Sequence, residues 1–169
     1  MANHFTSFDL DPAFNIGFED LEQRYEHLMT ICHPDKFAAA PAFEQRAAAK
    51  RAADINEAFN VLRHPVSRAG HLLQLSGIDL PALERQPAAP EFLFEQMMFR
   101  EKVQEYPSLA ADEAAKLVSE IGAAYLSTQK KFVEHYEAGD IAAASASWVE
   151  FHFQQKLSDE LKRASDQRG

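Results

Sequence analysis

Residues 32–37 read Cys-His-Pro-Asp-Lys-Phe and bring a thiol, an imidazole, a carboxylate and an amine together where a helical pattern ends. A Cys/His nucleophile pair needs the imidazole within hydrogen-bond reach of the sulfur. Such pairs usually come from separate segments, because the side chains of adjacent residues point apart. Cys32 also falls on the apolar stripe of the preceding pattern, which favours a buried, inert thiol. We predict no catalytic residue here.

The spacing of cysteine and histidine does not indicate a metal site. Cys32 is the single cysteine, so the sequence offers neither a CxxC pair nor an internal disulfide, which favours a reducing, cytoplasmic setting. A glycine-rich phosphate loop is also absent from the sequence. The sequence therefore predicts no metal, no cofactor and no enzymatic activity. The other histidines show no i, i+4 pair on a common helix face: His4, His27, His64, His71, His135 and His152.

His33, Pro34 and Asp35 can also form a surface turn. Proline lacks an amide hydrogen and pushes the residue before it out of the helical region, and aspartate can bond its own backbone. The tripeptide alone is a weak signal that fits a simple connector. It gains weight because it lies between two amphipathic helices, where loop residues tend to carry function.

Helix-period apolar residues and few glycines predict an all-α protein. The first two long helices should span about 18–33 and 42–62 and form an antiparallel hairpin, followed by a shorter helix from Pro65 to near Gly77. Their predicted inner faces are Phe18, Leu21, Tyr25, Leu28, Met29 and Cys32 in the first helix, Phe43, Ala47, Ala48, Ile55, Ala58, Phe59 and Leu62 in the second, and Val66, Ala69, Leu72 and Leu73 in the third.

Three prolines in residues 77–90 prohibit one continuous helix and predict a linker. Beyond it, helices over about 91–106, 112–138 and 140–163 fit a three-helix bundle. We therefore expect an N-terminal domain over 1–76, a proline-rich linker over 77–90 and a C-terminal helical bundle over 91–169.

Charge and hydropathy argue against two classes of partner. The formal net charge of -9 disfavours a nucleic-acid backbone, because Arg46, Lys50 and Arg51 form the only basic cluster. The sequence shows no secretory signal and no apolar run near the roughly 18 residues of a membrane span. The sequence predicts a soluble cytoplasmic protein without nucleic-acid or membrane partners.

The helix over 91–106 has more apolar surface than one core can bury. With Phe92 at zero on a helical wheel, Phe99, Val103 and Tyr106 fall within about 40°, and the opposite side is also apolar with an acidic rim. This second face either packs on the N-terminal domain or forms an exposed patch for a partner. It consists of Leu93, Phe94, Met97 and Met98, with Glu101 and Glu105 beside them.

Phe151 and Phe153 in the last helix raise the same question. They lie two residues apart, so about 200° separates them on the wheel and one core cannot hold both. The spare ring either joins the partner patch or contacts the N-terminal domain.

The turn and the sequences around it carry a family resemblance. His33, Pro34 and Asp35 between two helices resemble the J-domain, the module that recruits DnaK-class chaperones and stimulates their ATPase. The segments HPDKF (33–37), LRHPVSRAGHLL (62–73) and FLFEQMMFREK (92–102) resemble the HscB family of bacterial iron-sulfur cluster co-chaperones, in the same order. The resemblance covers nearly the whole chain.

The resemblance implies a J-domain that recruits an HscA-like chaperone and a C-terminal bundle that presents the iron-sulfur scaffold protein IscU to it. This delivery would aid cluster transfer and the maturation of iron-sulfur proteins. Asp35 would pair with an arginine of the chaperone, and His33 and Pro34 would fix the shape of the loop. The scaffold would contact Leu93, Phe94, Met97, Glu101 and Phe153, together with Met98, which replaces a glutamate of the family.

One departure from the J-domain pattern concerns the helix before the loop, which usually presents several basic residues. Here it carries Glu19, Asp20, Glu22 and Glu26, against Arg24 and a mostly neutral His27. We therefore expect Arg24 to be joined in chaperone binding by Lys36, Arg46, Lys50 and Arg51. A general J-domain co-chaperone for other clients stays open as an alternative, and an enzyme using Cys32 and His33 is a distant third.

Overall fold

The computed structural model describes residues 3–167, and it is helical throughout these residues, with no strand. The all-α fold class is confirmed. Contacts divide the chain into two compact units, of which the first ends at Leu75 and the second begins at Ser76. Each unit has its own helices and its own core.

The first unit is built on a helical hairpin. A 3-10 helix, His4–Phe8, precedes α1 (Phe18–Cys32), and a second 3-10 helix, Pro34–Phe37, joins α1 to α2 (Ala42–Arg63). Helix α3 (Pro65–Leu75) follows and packs on α2. The predicted helices thus agree with the structure to within about two residues at each end, which is the usual uncertainty of a helix boundary.

The core of the first unit differs from the predicted one at three positions. Phe18, Phe43 and Ala47 were expected to face inward but are exposed, whereas Leu21, Cys32 and the inner residues of α2 from Ala48 onward are buried. A helical wheel gives the direction in which a side chain points. It does not show where the neighbouring helix ends, so it cannot tell whether that side chain is covered. Phe18 and Phe43 lie in the first turns of their helices, where little packs against them.

The N-terminal segment fills part of this core, which the helical patterns do not predict. Phe5 and Phe8 are buried on α2, and Phe14 is buried beneath the Arg68 guanidinium, whose carbon lies 4.8 Å from the ring centre. The backbone amide of His4 donates to Nε2 of buried His71, at 3.0 Å. These contacts fix residues 4–14 on the hairpin.

The second unit is the predicted three-helix bundle. Helices α5 (Pro90–Glu105), α6 (Ala111–Glu137) and α7 (Ile141–Asp166) follow a short α4 (Leu80–Leu83), and a 3-10 turn, Tyr106–Ser108, connects α5 to α6. The long α6 and α7 pack along each other, and α5 packs mainly on α7. One core cluster contains Val103, Tyr106, Ala114, Leu117, Ile121, Leu157, Leu161 and Ala164.

The proline-rich segment 77–90 is partly ordered by its own short helix. Gly77 has a φ of 89°, a left-handed conformation that glycine adopts without strain, and Asp79 caps α4 by accepting from the amide of Ala82. Leu83 and Ala88 are buried. The contacts group this segment with the second unit.

Candidate functional site

The turn between α1 and α2 holds its own backbone in place before any partner binds. Pro34 starts the 3-10 helix, and the Lys36 amide donates to the His33 carbonyl at 3.0 Å. The His33 ring turns back and accepts from the Asp35 amide through Nδ1, at 3.3 Å. The loop is therefore braced by proline and by the imidazole of His33.

Asp35 is the group that this turn presents to solvent. Its side chain is 90% exposed, and its Oδ2 lies 3.5 Å from Nδ1 of His33. A free carboxylate on a braced backbone can accept two parallel hydrogen bonds from a guanidinium. Because the backbone is already ordered, less conformational entropy would be lost on docking.

The five cations expected to bind the chaperone differ in availability. Arg46 is exposed, and its Nε donates to the carbonyl of Ala42 at 3.3 Å. Arg24 is held within the unit: its Nε contacts Asp20 at 2.9 Å, and its terminal nitrogen donates to the carbonyls of Phe8 and Asp9. Lys50 pairs with Asp54 at 3.0 Å. Lys36 and Arg51 are exposed and form no ion pair within residues 3–167. The structure thus leaves Lys36 and Arg51 the freer charges of this set, a distinction that the sequence did not reveal.

Cys32 lies at the end of α1 and is buried as a free thiol. The neighbouring imidazole is engaged with Asp35 through Nδ1. Its burial agrees with the predicted position of Cys32 on the inner face of the helix, and an inert thiol at this position stays a prediction.

The second candidate surface lies on α5 in the other unit. Phe94, Met97 and Met98 are 65%, 60% and 46% exposed, Leu93 is half-buried, and Glu101 is exposed on the same side. We call these five residues the α5 patch. Phe92 and Val103 face the bundle core, as the wheel predicts. Soluble proteins rarely leave such a contiguous apolar surface in water unless it binds something.

The two phenylalanines of α7 have different surroundings. Phe151 is fully buried and meets the Tyr125 ring edge to face, at 5.0 Å between centroids. Phe153 is half-buried and meets the Phe92 ring in the same way, at 6.0 Å. Phe153 is therefore the less buried of the two rings. It contacts Phe92 near the start of α5, and the Lys156 ammonium lies over it, at 5.9 Å from the ring centre.

Two buried glutamines, one in α5 and one in α7, were not predicted from the sequence. Gln96 and Gln154 are each 1% exposed, and neither the side-chain amide nitrogen nor the amide oxygen of Gln96 has a hydrogen-bond partner within residues 3–167. The ring contact of Phe92 with Phe153 and the ion pair of Arg100 with Glu160 bracket Gln96 along the α5–α7 interface. Its wheel angle, about 40° from Phe92, was the available signal.

Residues 3–167 were also considered for metal binding and for membrane insertion, and they offer a site for neither within that range. No group of three or more His, Cys, Asp or Glu side chains there could hold a metal ion. No helix in the same residues has the length and apolar character that crossing a bilayer requires.

Comparisons of sequence show what the chain is similar to. A family model described as the HSCB C-terminal oligomerisation domain matches residues 88–162. A co-chaperone protein HscB homolog from Shewanella loihica is 33% identical over 169 residues, with 97% of this chain and 98% of that protein covered. A homolog of the same name from Neisseria gonorrhoeae is 49% identical over 105 residues, and this match spans 62% of the chain and 63% of the relative.

Solved structures agree with the sequence comparisons. The chaperone HscB from Vibrio cholerae has a TM-score of 0.87 and 30% identity, with 98% of this chain and 99% of that chain covered. The crystal structure of human co-chaperone protein HscB has a TM-score of 0.89 over 97% of this chain and 82% of that chain. At 23% identity, the human protein supports the fold alone.

Proposed function

Because the chain belongs to the HscB family of co-chaperones, as its full-length similarity to the Shewanella homolog shows, we propose that it recruits a DnaK-class chaperone of the HscA kind. It stimulates the ATPase of that chaperone and delivers to it an IscU-like scaffold protein for iron-sulfur clusters. The chain itself acts as an adaptor, and the cluster belongs to the scaffold.

The observation that carries the proposal is the exposed Asp35 carboxylate on its braced turn. A partner arginine can reach both carboxylate oxygens, since the side chain is 90% exposed and the backbone is fixed by Pro34 and His33. Lys36 and Arg51 add positive charge beside it and would contact the same partner. Arg24 belongs to the predicted chaperone surface too, although its hydrogen bonds to Phe8 and Asp9 suit it to holding that surface together.

The α5 patch supports the delivery half of the proposal. Phe94, Met97 and Met98 supply apolar contact area, methionine adapts to irregular surfaces, and Glu101 supplies a polar rim. Phe153 is half-buried and contacts Phe92 on the bundle-facing side of α5, and we infer that its exposed part adds to the scaffold surface. The loop and the patch belong to separate compact units, so one chain can engage two partners with different side chains.

A reconstitution tests this proposal. The full chain should raise the single-turnover rate of ATP hydrolysis by the HscA-like chaperone, and should raise it further when the scaffold protein is added. In calorimetry it should bind the scaffold without the chaperone. A chain that neither accelerates hydrolysis nor binds the scaffold would contradict the proposal.

A general J-domain co-chaperone is the second candidate, because the exposed Asp35 turn would serve any DnaK-class chaperone. Affinity capture from a cell extract separates the two. Recovery of a scaffold protein and one dedicated chaperone supports the HscB-type function. Recovery of a broad set of unfolded clients instead would favour the general co-chaperone.

A further inference from the structure

A shallow groove lies beside the turn, between the end of α1 and the start of α2. Its volume is about 240 Å³, and we call it the loop groove. Four apolar residues that are not buried, the buried Cys32 and Ala48, and two residues of opposite charge line it: Ile31, Phe37, Phe43 and Ala47 are the apolar ones, and Glu44 and Arg51 are the charged ones. This volume is below the roughly 300–1,000 Å³ of small-molecule sites, and it suits a single protruding side chain.

The groove collects exposed apolar surface in one place. Phe43 is 68% exposed and Ile31 is 51% exposed, and in the described part of the first unit the only other large exposed apolar side chain is Phe18. Single exposed apolar residues are normal on a protein surface. Two that line the same groove form a patch, which indicates contact with another molecule.

The groove is continuous with the turn that presents Asp35. Ile31 and Cys32 immediately precede His33, and Phe37 belongs to the same 3-10 helix as Asp35. At roughly 2 Å of rise per residue, Phe37 and Asp35 lie within about 4 Å along that helix axis. A protein bound to the Asp35 carboxylate therefore also covers the edge of the groove.

We propose that the loop groove receives an apolar side chain of the same DnaK-class chaperone whose arginine pairs with Asp35, so that the chaperone is held at two adjacent points. This inference rests on the proposed function and adds a second contact to it. The occupant is a chaperone side chain because one docked surface must pass over both the carboxylate and the groove.

Charge adds a requirement for this occupant. Arg51 lines the groove and has no ion pair within residues 3–167, whereas the neighbouring Lys50 is paired with Asp54. Glu44 lines the same groove with the opposite charge. An acidic residue of the occupant would therefore complement Arg51 only when it lies on the Arg51 side and away from Glu44, and this requirement fixes the orientation of docking. The chaperone surface that fits has a basic side chain for Asp35, an apolar side chain for the loop groove and an acidic side chain for Arg51.

The test measures ATP hydrolysis by the HscA-like chaperone against the concentration of the full-length chain. Phe43→Ala and Ile31→Ala should each raise the half-maximal concentration about tenfold, the effect of truncating an interface hot-spot residue. Arg51→Glu should raise it as well, and more at low salt than at high salt. Phe18→Ala is the matched control, because Phe18 is also exposed but begins α1, thirteen residues before Ile31. It should leave the curve unchanged.

Asp35→Asn in the same assay separates failure of this inference from failure of the proposed function. Loss of stimulation by Asp35→Asn together with wild-type curves for Phe43→Ala and Ile31→Ala would overturn the groove contact and leave the proposed function intact. A wild-type curve for Asp35→Asn would remove both. If Phe43→Ala altered sedimentation of the chain alone and not the hydrolysis curve, the occupant would be a second copy and the inference would be wrong. Unchanged melting temperatures confirm that the variants fold.

Discussion

At the scale of residues, Asp35 and His33 have different roles in the turn. The His33 ring accepts from the Asp35 amide, while the Asp35 side chain stays 90% exposed, with its Oδ2 3.5 Å from the same ring nitrogen. Proline between them restricts the backbone before docking. His33 and Pro34 thus hold the loop in shape, and Asp35 supplies the carboxylate that would bind the partner.

Asp35→Asn should fold normally and lose stimulation of the chaperone ATPase. The amide keeps the size of the side chain but has one oxygen and no charge, so it cannot form the bidentate pair with a guanidinium. Truncating one partner of an interfacial charge pair costs about 2–5 kcal/mol. At a limiting concentration of the chain, its acceleration of single-turnover ATP hydrolysis by the chaperone should be about 30-fold smaller than that of the wild type.

Asp11→Asn provides the control for that substitution. Asp11 is another exposed aspartate of the first unit, and it lies outside the turn. Its amide variant should stimulate hydrolysis like the wild type. Equal responses of the chaperone to Asp35→Asn and to the wild type would show that Asp35 makes no such pair.

At the scale of elements, α5 is a helix with two apolar faces. Phe92, Val103 and buried Gln96 face the bundle, while Phe94, Met97 and Met98 face water. The ion pair of Arg100 with Glu160, at 3.3 Å, links α5 to α7 and helps to fix which face of α5 points toward the bundle. The helix therefore presents the α5 patch in a fixed orientation.

Phe94→Ala combined with Met97→Ala should weaken binding of the IscU-like scaffold at least tenfold, since buried interface anchors often contribute more than about 1 kcal/mol each. Both side chains are already exposed, so their truncation creates no core cavity and the melting temperature should hold. Calorimetric titration measures the affinity. Phe153 is less suitable for this test because it packs on Phe92.

A second double variant controls for loss of exposed apolar area. Val118→Ala with Leu126→Ala removes exposed apolar groups from α6, at 45% and 62% exposure in the wild type. Scaffold affinity should be unchanged in this variant. Equal losses in the two double variants would mean that the α5 patch is not the binding surface.

The sequence predicts the long helices well, because proline, glycine and a sustained 3.6-residue period mark them directly. It also predicts the two faces of α5, since a wheel orders side chains around one helix. It does not predict that Phe18 and Phe43 are exposed, that Phe5 and Phe8 are buried, or that Arg24 holds the N-terminal segment. Those features depend on contacts between segments, which a local period does not contain.

At the scale of the whole molecule, each unit carries a histidine whose neutral form is favoured in the folded state. Burial lowers the pKa of His71, and the nearby charge of His4 lowers it further, while a hydrogen bond with the Gln74 side chain acts in the opposite direction. Burial also lowers the pKa of His152, helped by Lys156 and opposed by Glu84. His71 accepts from the amide of His4, which its protonated Nε2 could not do.

Stability should therefore fall as the pH falls from 8 to 5.5. A histidine with a pKa below its unfolded value of 6.5 binds fewer protons when folded, so its contribution is complete above that value and is lost as the pH drops toward the folded pKa. Thermal unfolding at a series of pH values measures this slope. In His71→Gln the slope should be shallower, because glutamine keeps an acceptor for the His4 amide and does not titrate. A slope that is identical in the wild type, His71→Gln and His152→Gln would show that these two rings do not link protonation to folding.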